Sequence, residues 1–122
     1  MINPHRGEIE ATLDGKTYRL CLTLGALSEL ERAFGEDDML AVAMRFEAGR
    51  IGASDAIKMI GAGLRGAGYD IDNDTVSSMR VAGGVAGGVD IVARLLAATF
   101  TALHEIEGNE ADGSFAAVET AA

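Results

Sequence analysis

The chain has no tryptophan, one proline, one cysteine and two histidines in 122 residues, and aromatic side chains make up only 5% of it. Each scarcity excludes something. The lone Cys21 has no internal partner for a disulfide, so it reads as an inert, half-buried thiol, and a reducing cytoplasm is the expected compartment. His5 and His104 lie far apart, and neither has a second histidine at i+3 or i+4. A zinc site made by the protein therefore lacks ligands, and His104 near a helix C-terminus is accounted for by a charge–dipole contact. Few aromatics weigh against base-stacking platforms and aromatic ligand clefts alike. Basic residues are scarce too: 10 Lys and Arg stand against 19 Asp and Glu, a formal charge of −9. That balance repels phosphate backbones, and no nucleic acid partner is expected. The longest apolar region, 85–103, is interrupted by Asp90 and Arg94, which argues against a membrane span. The opening residues contain Pro4 and no apolar core, so no signal peptide is expected either.

What remains is ample for one domain, expected over 1–108, which at this size buries roughly two thirds of its unfolded surface without metal or disulfide. In Glu8-Ile9-Glu10-Ala11-Thr12-Leu13 and Lys16-Thr17-Tyr18-Arg19-Leu20-Cys21-Leu22, two alternating runs flank Asp14-Gly15. That pair tolerates the positive φ of a type I′ turn. Counting outward, Ala11 faces Tyr18 and Ile9 faces Leu20, while Glu10 sits across from Arg19. One face is apolar and the other charged, so a hairpin over about 8–22 must lie on something.

Helices supply it. Thr23 is placed to cap a helix from Leu24 whose Leu27, Leu30 and Phe34 recur at helical spacing until Gly35. A second helix follows Asp37 or Asp38 as cap and carries Met39, Leu40, Val42, Ala43 and Phe46. Ser54 opens a third with Ile57, Ile60 and Leu64 on one face, ended by Gly66-Ala67-Gly68. Asn73 or Asp72 caps a short fourth containing Val76 and Met79. Val81-Ala82-Gly83-Gly84 is then repeated as Val85-Ala86-Gly87-Gly88. Each helical glycine costs roughly 1 kcal/mol against alanine, so the last helix is expected to become firm near Val89. From there Val89, Val92, Leu96, Leu103 and Ile106 line one face, with Ile91, Leu95, Ala98 and Ala102 beside it. A helix so apolar is either the centre of the bundle or the seat of a subunit contact, and those five residues are the candidates for self-association or partner binding. After Gly108 the periodicity dissolves, and 109–122 has the acidic, small-residue composition of a disordered tail. Within it, the apolar group Phe115-Ala116-Ala117-Val118 is suited to docking.

Two strings imitate binding motifs. Gly61-x-Gly63-x-x-Gly66 matches the dinucleotide fingerprint, but that fingerprint must leave a strand and open a helix, and here it closes one. Helix termination and close packing explain it. Asp70-x-Asp72-x-Asp74 imitates a calcium loop, yet Thr75 stands where the turn glycine belongs and Val81 where a bidentate glutamate is needed. Helix capping explains those acids. No serine sits in a nucleophile elbow and neither histidine has a suggestive setting, so the chain reads as no enzyme, with no cofactor.

Asn3-Pro4-His5-Arg6-Gly7-Glu8, the hairpin, and Thr23-Leu24-Gly25-Ala26-Leu27-Ser28-Glu29-Leu30-Glu31 together resemble a small family encoded in the tail-gene cluster of gene transfer agents, phage-like particles of alphaproteobacteria. The resemblance runs from about residue 3 to about 103, its later part carried by Gly61-Ala62-Gly63-Leu64-Arg65-Gly66 and Met79-Arg80. It implies a tail assembly chaperone that binds the tape-measure protein and hands it to the tail-tube protein, acting as a homo-oligomer. Its alternative is a structural tail-tube subunit, a label the family also carries. The expected fold is α+β: an N-terminal antiparallel hairpin packed on a bundle of four or five helices, with an acidic tail.

Overall fold

The computed structural model of the chain describes residues 7–114, and of 102–114 the helical backbone alone. Its architecture is α+β, two antiparallel strands followed by five helices. Strands β1 (Glu8–Leu13) and β2 (Lys16–Cys21) pair in the register Ile9↔Leu20, Glu10↔Arg19, Ala11↔Tyr18 and Leu13↔Lys16. The turn between them has φ of 53° at Asp14 and 75° at Gly15, the left-handed pair that matches the twist of the strands. The turn is also tied down from outside. Asp14 donates its N–H to the Arg80 carbonyl at 2.8 Å, and its carboxylate accepts from the Arg80 N–H at 2.8 Å. Val81 next to it bridges Leu13. The segment before the last helix thereby covers part of the outer edge of β1, and the Arg94 guanidinium covers another part by donating to the Glu10 carbonyl at 2.8 Å. Unpaired strand edges invite foreign strands, so these contacts blunt one edge of a very small sheet.

The apolar face of the hairpin, Ile9, Ala11, Leu13 and Leu20, is buried. Helix α1 (Leu24–Phe34) begins where Thr23 Oγ1 accepts the Ala26 N–H at 3.1 Å and ends at Gly35. Helix α2 (Met39–Glu47) is capped by Asp38, whose carboxylate accepts the Ala41 N–H at 2.9 Å. Helix α3 (Ala53–Gly66) starts one residue before Ser54; Asp55 inside its first turn accepts the Gly52 N–H at 3.0 Å. Helix α4 (Asn73–Ser77) is capped by Asp72 and stops before Met79. Helix α5 (Gly84–Ser114) is the longest.

The centre of the molecule is α3, not α5. It packs against β2, α1, α4 and α5, and Met59, Ile60, Ala62 and Leu64 are buried around it. The reason is the glycine string. A Cβ on Gly66 would stand 1.9 Å from the Cys21 carbonyl oxygen, and one on Gly63 would stand 2.9 Å from Leu95 and 3.1 Å from Leu20. Missing side chains thus let one helix touch the hairpin and α5 at once, and the fingerprint-like string forms the C-terminal end of α3, where no helix N-terminus faces a phosphate.

Helix α5 departs from expectation at its start. It begins at Gly84 rather than near Val89, because Gly87 lies against the Ala82 carbonyl, where a Cβ would come within 1.8 Å. Tight packing of the preceding turn compensates for poor glycine propensity. Its backbone also continues past Gly108 to Ser114, so the tail expected over 109–122 shares its first residues with the helix. Residues 115–122 lie outside the described residues.

Candidate protein-docking surface

Helix α5 has two apolar faces, and only one is used by the core. Ile91, Val92, Leu95 and Leu96 are buried against α3 and the hairpin, and Thr99 closes the seam by donating its hydroxyl to the Leu95 carbonyl at 2.7 Å. The second face carries Val89, Ala93, Ala97 and Phe100, spaced by four, four and three residues, the repeat of one helical stripe. This stripe forms one wall of a groove of about 360 Å³, whose other wall is Ala43, Phe46 and Glu47 of α2. Helix α2 packs chiefly on α1, which leaves the space between α2 and α5 open.

The groove does not end there. Ile51 and Val89 also line a second hollow of about 320 Å³, enclosed by Ile57 and Ile60 of α3, Met79, and Val85 at the start of α5. The two hollows form one apolar trough with Ile51 and Val89 at its waist. Large apolar side chains rim it: Val85 is 87% exposed and Val89 41%. On α2, Leu40 and Met44 are exposed as well, and they share the spacing of one helix face with Ala43 and Glu47. A contiguous exposed apolar surface is what a protein-binding site presents to water.

Of the candidate residues, Val89 stands at the trough's waist. Val92 and Leu96 line its floor but are 1% and 9% exposed, so they act from the core. Leu103 and Ile106 fall outside the described side chains. Sequence reasoning missed Leu40, Met44, Ile51, Ala93 and Phe100. A signal for the first two existed: α2 carries apolar residues on both faces, Met39, Val42 and Phe46 inward and Leu40 and Met44 outward. Ile51 lies in a connection between helices, where periodicity says nothing.

The remaining polar clusters are structural. Arg65 donates to the Ile71 carbonyl at 2.9 Å and the Asn73 side chain at 3.1 Å, and also to Glu29, tying α1 and α4 to α3. Asp72, the middle acid of the calcium-like string, accepts the Thr75 N–H at 2.8 Å. The Thr75 backbone, then its side chain, then the Arg65 charge hold the Asp72 carboxyl below the usual carboxylate range. Among the described residues, no group of three or more His, Cys, Asp or Glu is placed to hold a metal ion. His5 and the His104 side chain lie outside them. By length and composition Gly84–Thr101 would suffice to cross a bilayer, with 33% of it buried in the fold. Its two charges, Asp90 and Arg94, pair at 2.8 Å on the exposed side.

No curated protein and no solved structure matches the chain. A protein-family model does, over residues 6–102, and its description reads phage tail tube protein, GTA-gp10. The match spans the hairpin and the whole trough, and the chain belongs to this family of phage-like tail proteins.

Proposed function

We propose that the chain is a structural subunit of a phage-like tail, of the tube kind, which works by joining other protein subunits and performs no reaction. The observation that carries this is the apolar trough between α2 and α5, continued beneath Val85. It is a surface for side chains of another protein, and around it are helix caps and packing residues instead of paired acids and bases. The family description supports the tube reading over a transient one. Neighbouring copies of this chain and other tail proteins are the partners it implies.

A second reading is favoured by one specific feature. The sheet in the described residues has two strands, whereas tube proteins are usually built on β-sandwich cores that close into rings. A chaperone that binds helices of the tape-measure protein needs only a groove. The two readings differ in where the protein ends up. Rings stacked along a tail require many retained copies, and a chaperone must leave. Quantitative mass spectrometry of purified particles against producing-cell lysate is expected to find the chain at a stoichiometry rivalling the major tail proteins. Abundance in lysate with near absence from particles would overturn the tube assignment in favour of the chaperone.

A further inference from the structure

We infer that the trough face pairs with the same face of a second copy of this chain, giving a two-fold dimer in which Glu47 of each copy meets Arg50 of the other. The inference deepens the tail reading just proposed, since it names one partner of the surface on which that reading rests.

Apolar side chains are concentrated here. Among the described residues, four of the five large apolar side chains exposed to water are Leu40, Met44, Val85 and Val89. Val85 and Val89 line the hollows, and Leu40 and Met44 lie on the α2 face that carries Ala43 and Glu47, which line one of them. The face thus holds projections and hollows together, as a surface must if it is to fit a copy of itself. Its apolar character would suit many partners. Charge selects the second copy.

A second copy brings the same −9, and two such molecules repel wherever acids meet, so a contact between them has to lie where charge cancels locally. Among the described residues, Glu47 is the one ionisable group lining either hollow. Arg50 lines neither, but its N–H donates to the Arg45 carbonyl at 3.3 Å, which fixes it at the end of α2, within a turn of Glu47 and next to Ile51. Both are exposed, and neither forms an ion pair among the described residues. An unpaired acid and an unpaired base three residues apart are complementary to themselves across a two-fold axis, because whatever the first offers the second is offered in return. The face then adds no net charge. Apolar burial supplies the binding, and the two ion pairs at the rim fix the register. Such a contact uses up the patch on both copies, so association stops at two.

The test is sedimentation velocity on the full chain from micromolar to near-millimolar concentration, at low and at raised salt. Wild type is expected to show a monomer–dimer equilibrium and nothing larger. Met44→Glu, at an exposed position, should weaken the dimer about tenfold or more. Glu47→Arg and Arg50→Glu each set like charges against one another twice and should weaken it similarly at low salt. The decisive measurement is the equimolar mixture of those last two variants. One carries two bases at the rim and the other two acids, so they should form a heterodimer at least as tight as the wild-type dimer, and the double exchange within one chain should restore self-association. A wild type that stays monomeric overturns the inference and leaves the trough to a different protein. Masses above the dimer overturn it in favour of a head-to-tail contact. Single exchanges that keep wild-type affinity at low salt, or a mixture that stays monomeric, overturn it as well. Particle content reads the tail assignment separately: a chain abundant in particles yet monomeric in solution refutes the dimer alone, and a dimer absent from particles refutes the tube alone.

Discussion

At the scale of single residues, glycines set the distances in this fold, and two of them make opposite predictions. Gly66 faces the Cys21 carbonyl, where a Cβ would lie 1.9 Å from oxygen and 3.4 Å from the Thr23 nitrogen. Those are backbone atoms at the junction of β2 and α1 and have no rotamer to escape into. Gly66→Ala is expected to cost about 1–3 kcal/mol, as overpacking does, and to lower the urea midpoint. Gly88, in the interior of α5, has nothing within 4 Å of the Cβ position. Gly88→Ala should raise the midpoint by up to about 1 kcal/mol, the helix propensity of alanine over glycine. Equal midpoints for the two variants would mean that α3 does not sit against the hairpin as described. The same residues show what a sequence reveals of packing. That the string Gly61-x-Gly63-x-x-Gly66 closes a helix was legible from its context. That Gly63 spaces Leu20 from Leu95 was not, because nothing local in the sequence records which distant side chains will arrive.

At the scale of elements, legibility follows the range of the forces involved. The hairpin register, the Thr23 cap and the end of α3 at Gly66 are short-range matters of turn and cap chemistry, and the residues announce them, while Asp38 over Asp37 as the cap of α2 was settled only by the structure. The start of α5 is decided by the turn at 81–84 packing on Gly87, and local propensity pointed to the wrong residue. Two predictions belong here. Gly15→Val puts a β-branched residue at φ 75° with no atom within 4 Å of its Cβ, so the cost is backbone strain alone, at least about 1 kcal/mol. An unchanged urea midpoint would show that the turn tolerates a branched residue and is not the left-handed pair. The second concerns the cap of α4. Because folding lowers the Asp72 pKa, the unfolded chain takes up a proton first as pH falls. The cap's stabilisation is then full above the unfolded-state value and is lost as pH drops through the folded one. Asp72→Asn keeps an acceptor for Thr75 and removes the titration. Between neutral pH and about pH 3, below the usual aspartate range, the variant should lose less stability than wild type by urea titration. Parallel losses would assign the acid sensitivity to other carboxylates.

For the molecule as a whole, the trough was the least legible feature. A single helix shows its stripe, but a groove exists only where two stripes fail to meet, and α2 and α5 meet poorly because α2 is occupied with α1. Reading Val89, Val92 and Leu96 as one face merged the wall of the groove with its floor. The buried part of the fold also stops short of the end of the last helix. Every described buried side chain lies at or before Thr99, and the last helix continues from there to Ser114. A chain ended after Gly108 keeps the hairpin, the caps, the Arg65 network and the seam of α5. It should melt as one cooperative transition within a few degrees of the full chain, since about 1 kcal/mol moves the midpoint of a domain this size by roughly 4–8 °C. A truncated chain that melts without cooperativity would place the residues after 108 in the fold itself.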